Sequence, residues 1–137
     1  MIALDTNVWL YSHDSRDPIK QTAALQLITV VRPLALPWQV GCEFIAASRK
    51  LSPFGFSLDT AWLALAAMRA MANVVILPEA NLWSDCESLL KRFSLSFWDA
   101  LLAAACIRGG VNTLYSEDMA HLARIDSLTI MNPFAVP

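Results

Sequence analysis

Charge is scarce in this chain. Only 16% of its 137 residues are Asp, Glu, Lys or Arg, against about 25% in an ordinary soluble domain. Ten basic residues face twelve acidic ones, so the net charge of −2 gives no molecule-wide basic field for nucleic acid. Any RNA site must be a local cluster of base beside acid. Glycine is rarer still, with four residues, and none builds a phosphate-cradling loop, which excludes nucleotide hydrolysis of the P-loop kind. Cys42, Cys86 and Cys106 are odd in number, far apart and without a CxxC spacing or a paired histidine. They are expected to be buried small hydrophobes in a reducing compartment, not zinc ligands or disulfides. No apolar run nears the roughly 20 residues of a membrane span. The two longest, 61–68 and 100–107, are bounded by Asp59, Arg69, Asp99 and Arg108. The opening residues carry no basic lead, so the expectation is a cytoplasmic chain with no signal peptide and no membrane contact.

Apolar residues are what the chain has in surplus: 56%, five tryptophans among them. A length of 137 residues suits a single domain spanning 1–137 with a real core. So small a domain does not usually cover so much apolar surface internally, and an exposed patch of that kind marks protein–protein contact.

The apolar pattern alternates between strands and helices. Residues 1–4 read as a buried strand ending at the polar turn Asp5-Thr6-Asn7. Asp17-Pro18 opens a helix with a cap followed by proline at the first helical position, and the helix runs through Val31. Residues 34–36, between two prolines, allow a short strand. Pro37 then starts a helix whose Val40, Phe44 and Ala47 recur at helical steps. Residues 53–56 form a turn and Ser57 caps a helix over 58–71. Residues 73–77 are a β-branched strand, followed by a helix over 82–93. Ser96-Phe97-Trp98-Asp99 has the spacing of a capping box before the apolar helix 100–108, which Gly109-Gly110 stops. Residues 112–116 and 128–131 read as further strands. This order predicts an α/β fold, three-layer α/β/α around a mostly parallel sheet, with ligands beyond the carboxyl ends of the strands.

Four of the twelve acids fall where that fold would gather them. Asp5 ends the first strand, Asp118 follows the strand 112–116, and Asp99 opens a helix on the edge where parallel strands end. Glu43 sits among Val40, Gly41, Cys42, Phe44 and Ile45, where a lone buried carboxylate would be costly. Clustered carboxylates raise one another's pKa unless a cation lies among them. Hard cations such as Mg²⁺ or Mn²⁺ prefer oxygen ligands, lower the pKa of water and polarise phosphoryl oxygens. Each acid also has a plainer duty: Asp5 as a turn residue, Asp99 as the reciprocal acid of its capping box, Asp118 as an ordinary loop residue. Arg49 and Lys50 suit either the helix dipole or a phosphate. His13 and His121 read as loop and surface residues.

The motifs resemble those of PIN-domain ribonucleases, and in detail the VapC-like toxins of type II toxin–antitoxin systems. Leu4-Asp5-Thr6-Asn7-Val8 is similar to the family's opening. Val40-Gly41-Cys42-Glu43-Phe44 resembles its second acidic motif, and Ser96-Phe97-Trp98-Asp99-Ala100-Leu101-Leu102 its third. Leu114-Tyr115-Ser116-Glu117-Asp118-Met119, with the tail Ile130-Met131-Asn132-Pro133-Phe134, resembles the fourth. The resemblance implies that Asp5, Glu43, Asp99 and Asp118 are catalytic and hold Mg²⁺ or Mn²⁺, with Thr6 and Ser116 as hydroxyl helpers. It also implies RNA cleavage by activated water, a homodimer and inhibition by a cognate antitoxin protein. Many PIN domains place Asn before the last Asp; here Glu117 stands there, leaving that corner to Asp118, Glu117 or both. Two rivals remain at this stage: a phosphatase or phosphoacceptor domain with Asp5 as nucleophile, and a non-catalytic RNA-binding PIN module.

Overall fold

The computed structural model describes residues 1–135. Its framework is a six-stranded sheet formed by β1 (Ile2–Leu4), β2 (Leu34–Pro37), β3 (Val74–Ile76), β4 (Thr113–Tyr115), β5 (Arg124–Ile125) and β6 (Leu128–Met131). The spatial order is β3-β2-β1-β4-β6-β5, with every neighbouring pair parallel except the β5–β6 hairpin. β2 is buried throughout, as is Ala3-Leu4 of β1, which is why these strands read as unbroken apolar runs. β3 lies at the edge, and Val74 is exposed there.

The helices are α1 (Thr6–Tyr11), α2 (Pro18–Val30), α3 (Trp38–Ser48), α4 (Leu58–Met71), α5 (Leu82–Arg92) and α6 (Phe97–Arg108). The steps β1 to β2 and β2 to β3 move in one direction across the sheet, and β3 to β4 moves back. Right-handed crossovers therefore put α1–α4 on one face and α5–α6 on the other. The packing follows: α3 lies on α1 and α4, while α5 and α6 pair with each other. The expected three-layer architecture is present.

Local chemistry fixes the helix starts. Asp17, Ser57 and Ser96 each accept a hydrogen bond from the backbone three residues on, at Lys20, Thr60 and Asp99. Asp5 caps a helix that the sequence reading took for a turn: α1 is six residues long and buries Thr6, Val8 and Trp9. A 3-10 helix, Arg49–Phe54, takes up the first half of the turn expected at 53–56. The two glycines that end α6 serve different needs. Gly110 takes a left-handed φ of 81°, whereas a Cβ on Gly109 would lie 2.5 Å from the Ile76 side chain.

The cysteine expectation holds for two of three. Cys86 and Cys106 are buried, but Cys42 is exposed, because it lies on the outward side of α3.

Candidate active site

The switch in strand order falls between β1 and β4, where α/β sheets open a crevice at their carboxyl ends. Asp5 follows β1 and Ser116 follows β4, so the two meet there: the Ser116 hydroxyl donates to Asp5 Oδ2 at 2.7 Å. The other Asp5 oxygen accepts from Thr6 N at 2.7 Å. Asp5 is thus nearly buried, with both oxygens engaged.

A cleft of about 380 Å³ opens above this pair, lined by Asp5, Thr6, Asn7, Glu43, Ala46, Ala47, Lys50, Asp99 and Asp118. All four acids singled out in the sequence line it, and Lys50 is the one cationic residue in the lining among the described residues. Arg49 is not part of the wall. Asp118 faces the cleft through an Asn7 Nδ2 hydrogen bond at 2.9 Å, while Glu117 turns away to Lys20 Nζ at 2.7 Å. His13 packs against Phe44 and Phe56, and His121 is exposed with Nε2 2.9 Å from Ser94 O.

The electrostatics are those of crowded acids. Burial pushes the Asp5 carboxyl above its ordinary range; Asp99 and Asp118 add to this, and the Ser116 and Thr6 hydrogen bonds pull it back. Glu43 is raised by burial first and then by Asp5 and Asp99, against a lowering hydrogen bond from Gln39. Asp99 is raised by burial and Asp118, with the Ser96 hydroxyl and His121 opposing.

Two neighbours of the acids were not foreseen. Gln39 Nε2 donates to both Glu43 Oε1 at 3.0 Å and Trp98 O at 2.9 Å, joining α3 to the start of α6. The i,i+4 spacing of Gln39 and Glu43 was the available signal. Asn7 as the holder of Asp118 had no local signal, since the contact spans 111 residues.

The donor set suits a hard divalent cation: every acid is an oxygen donor, and one lysine does not balance them. Among the described residues Thr6 Oγ1 is buried without a partner at hydrogen-bond distance, on the wall shared with the acids and near enough to Glu43 to lower its pKa. Among the described residues no three acids form a ready-made cage.

An apolar groove of about 730 Å³ lies beside the cleft, sharing Glu43 and Ala46 with it and walled by Trp38, Trp83, Trp98, Leu82 and Leu101. Its polar groups are few beside those of the smaller cleft, where the four acids lie. Among the described residues no helix is long and apolar enough to cross a membrane.

Comparison with known proteins bears on the family and the fold. The sequence matches the PIN domain family over residues 2–128. Among solved structures, VapC20 of Mycobacterium tuberculosis, described as a sarcin–ricin loop cleaving toxin, superposes with a TM-score of 0.70 at 20% identity. That match covers 92% of this chain and 98% of the other. VapBC2 of Rickettsia felis, bound to a promoter DNA fragment, matches with a TM-score of 0.66 at 18% identity, over 96% of this chain and 98% of the other. VapBC-1 of nontypeable Haemophilus influenzae gives a TM-score of 0.65 at 19% identity, over 98% and 100%. These likenesses are likenesses of fold. No curated protein matches the sequence significantly.

Proposed function

The chain belongs to the PIN-domain family, and on that premise we propose that it is a metal-dependent endoribonuclease, the toxin of a VapBC-type toxin–antitoxin pair. The observation that carries the reading is the cleft itself: four carboxylates at the topological switch point with a single lysine among them. Asp5, Glu43, Asp99 and Asp118 are the residues proposed to hold Mg²⁺ or Mn²⁺ and to act in catalysis. When bound, such an ion lowers the pKa of water and polarises a phosphoryl oxygen.

The chain's own groups supply the rest. Ser116 and the Thr6 amide fix the Asp5 carboxylate, Gln39 fixes Glu43, and Asn7 fixes Asp118, so three of the four acids are held before substrate arrives. Lys50 gives an incoming phosphate one positive contact on the cleft wall. The unpartnered Thr6 hydroxyl remains available to donate to a bound oxygen. A nucleophilic Asp5 is disfavoured, because both its oxygens are engaged and it is 7% exposed.

The partner side of the proposal rests on the groove. Trp38, Trp83 and Trp98 stand more than half exposed along it, and a cognate antitoxin segment would cover them. Exposed Leu58, Trp62 and Leu63 on α4 offer further apolar surface for a homodimer. The whole chain, 1–137, is read as one domain acting in the cytoplasm.

RNA incubated with the purified protein should be cut when Mg²⁺ or Mn²⁺ is present and left intact with EDTA. Robust cleavage by metal-free protein would sink the metal dependence, and none in any metal would sink the nuclease reading.

A further inference from the structure

Glu117 sits between two residues that touch the acid cluster. Ser116, before it, donates to Asp5; Asp118, after it, accepts from Asn7. The Ser116 oxygen also accepts from Met119 N at 3.2 Å, so residues 116–119 form one tightly tied turn. Glu117 leaves that turn on the other side. There its Oε2 meets Lys20 Nζ at 2.7 Å, and both side chains are only 29% exposed.

The lysine end is built as carefully. Lys20 lies in the first turn of α2, where its backbone N–H is bonded to the Asp17 cap at 3.1 Å. Its ammonium also donates to the Tyr11 hydroxyl at 3.2 Å and lies 4.7 Å from the Tyr11 ring centroid and 5.4 Å from that of Phe134. Tyr11 and Phe134 meet edge-on at 5.0 Å. The end of α1, the start of α2, the tail after β6 and the turn after β4 thus converge on one ammonium group. A solvated surface ion pair has no such walls.

We propose that Lys20 is a positioning residue of the acid cleft: by holding Glu117 it sets the 116–118 turn so that Asp118 and Ser116 present to the cleft. The proposal rests on the nuclease reading above, extending it to a residue that neither lines the cleft nor carries acid. It assigns Glu117 a supporting duty in place of a ligand's.

The test compares wild type with Lys20→Met, Glu117→Gln, the double variant and Lys20→Arg. Three quantities are read: Mn²⁺ uptake by paramagnetic resonance of the free ion, the Asn7 side-chain amide signals by NMR without metal, and RNA cleavage. Each of the two single variants should weaken Mn²⁺ binding about tenfold, the low end of what outer partners of metal ligands usually cost. Each should displace the Asn7 amide signals. The double variant should be no worse than either single one, and Lys20→Arg should restore most of the loss. Unchanged Asn7 signals and unchanged Mn²⁺ uptake in Lys20→Met would overturn the proposal while leaving the nuclease reading intact. Loss in Glu117→Gln alone would overturn it too, by making Glu117 a ligand in its own right. A wild type that takes up no Mn²⁺ and cuts no RNA defeats the nuclease reading instead; the Asn7 signals of metal-free protein then decide alone whether Lys20 sets the turn.

Discussion

The Ser96 hydroxyl accepts from Asp99 N at 3.2 Å, but among the described residues the Asp99 carboxylate makes no return bond to the Ser96 backbone. Half of the capping box is made, and the carboxylate is left for the cleft. Asp99→Asn separates the two duties by sign. Loss of a helix-start charge alone would cost a few tenths to about 1 kcal/mol and leave activity in place. Relief of repulsion with Asp118 should instead keep or raise metal-free stability, while cleavage falls more than about 100-fold, beyond the usual cost of an outer partner. Melting without metal and an RNA assay read both; a less stable, active variant removes Asp99 from the site. Thr6→Val asks the same question of a hydroxyl. Among the described residues this buried hydroxyl has no partner at hydrogen-bond distance, and its one influence on the acids is a weak pull on the ionised Glu43, so its removal should leave melting nearly unchanged or raised, with cleavage reduced. A loss near 1 kcal/mol, typical of a bonded hydroxyl, would contradict that. At this scale the acids were legible because strand ends and helix starts place Asp5, Asp99 and Asp118 on one edge, and because an unpaired Glu43 on an apolar helix is costly. Gln39, Asn7 and Lys20 were not, since their duties depend on contacts between distant segments.

Secondary structure was legible where chemistry is local. The caps at Asp17, Ser57 and Ser96 were read correctly because each acts on a backbone N–H three residues away. α1 escaped because six residues are too few to display a helical period, and two of its residues double as the conspicuous Thr6-Asn7 of a turn. β5 escaped because its two residues have no alternation to show, and its hairpin turns at Asp126 with a φ of 52°. α4 supplies a control for the site. None of its residues lines the cleft, yet it carries a real cap, Ser57 Oγ accepting from Thr60 N at 3.1 Å. Ser57→Ala should therefore cost about 1 kcal/mol of stability with RNA cleavage per folded molecule unchanged. A variant of full stability would show the cap to be idle, and a variant impaired in cleavage at full folding would tie α4 to the site.

Across the whole molecule, the surplus of apolar residues divides as the composition foretold: Trp9 is buried, and Trp38, Trp62, Trp83 and Trp98 are exposed. Which surfaces they form was not legible, because grooves arise from the packing of separate helices. The acids divide too, and their division makes stability depend on pH and metal together. Asp5, Glu43 and Asp99 ionise in the unfolded chain near 3.8, 4.5 and 3.8, and above those values when folded, chiefly through burial. Between the unfolded and folded values the native state binds more protons, so stability falls as pH rises through that window. The penalty is absent below it and fully present above it. Asp14 and Asp126, held down by Arg16 and Arg92, act oppositely, but their share is lost only as pH falls below 3.8. His13 also opposes: burial lowers its pKa from 6.5, so it favours the fold increasingly as pH rises toward that value. These three contributions are common to protein with and without metal, so the difference between the two melting curves isolates the cleft. Metal requires the ionised carboxylates and cancels their repulsion. Mg²⁺ or Mn²⁺ should therefore raise the melting temperature more at about pH 7.5 than at a pH close to the unfolded values of 3.8 and 4.5, where protons compete for the acids. In Asp99→Asn the increase should shrink at both pH values. Equal metal stabilisation at the two pH values in the wild type would mean that the ion binds somewhere other than these carboxylates.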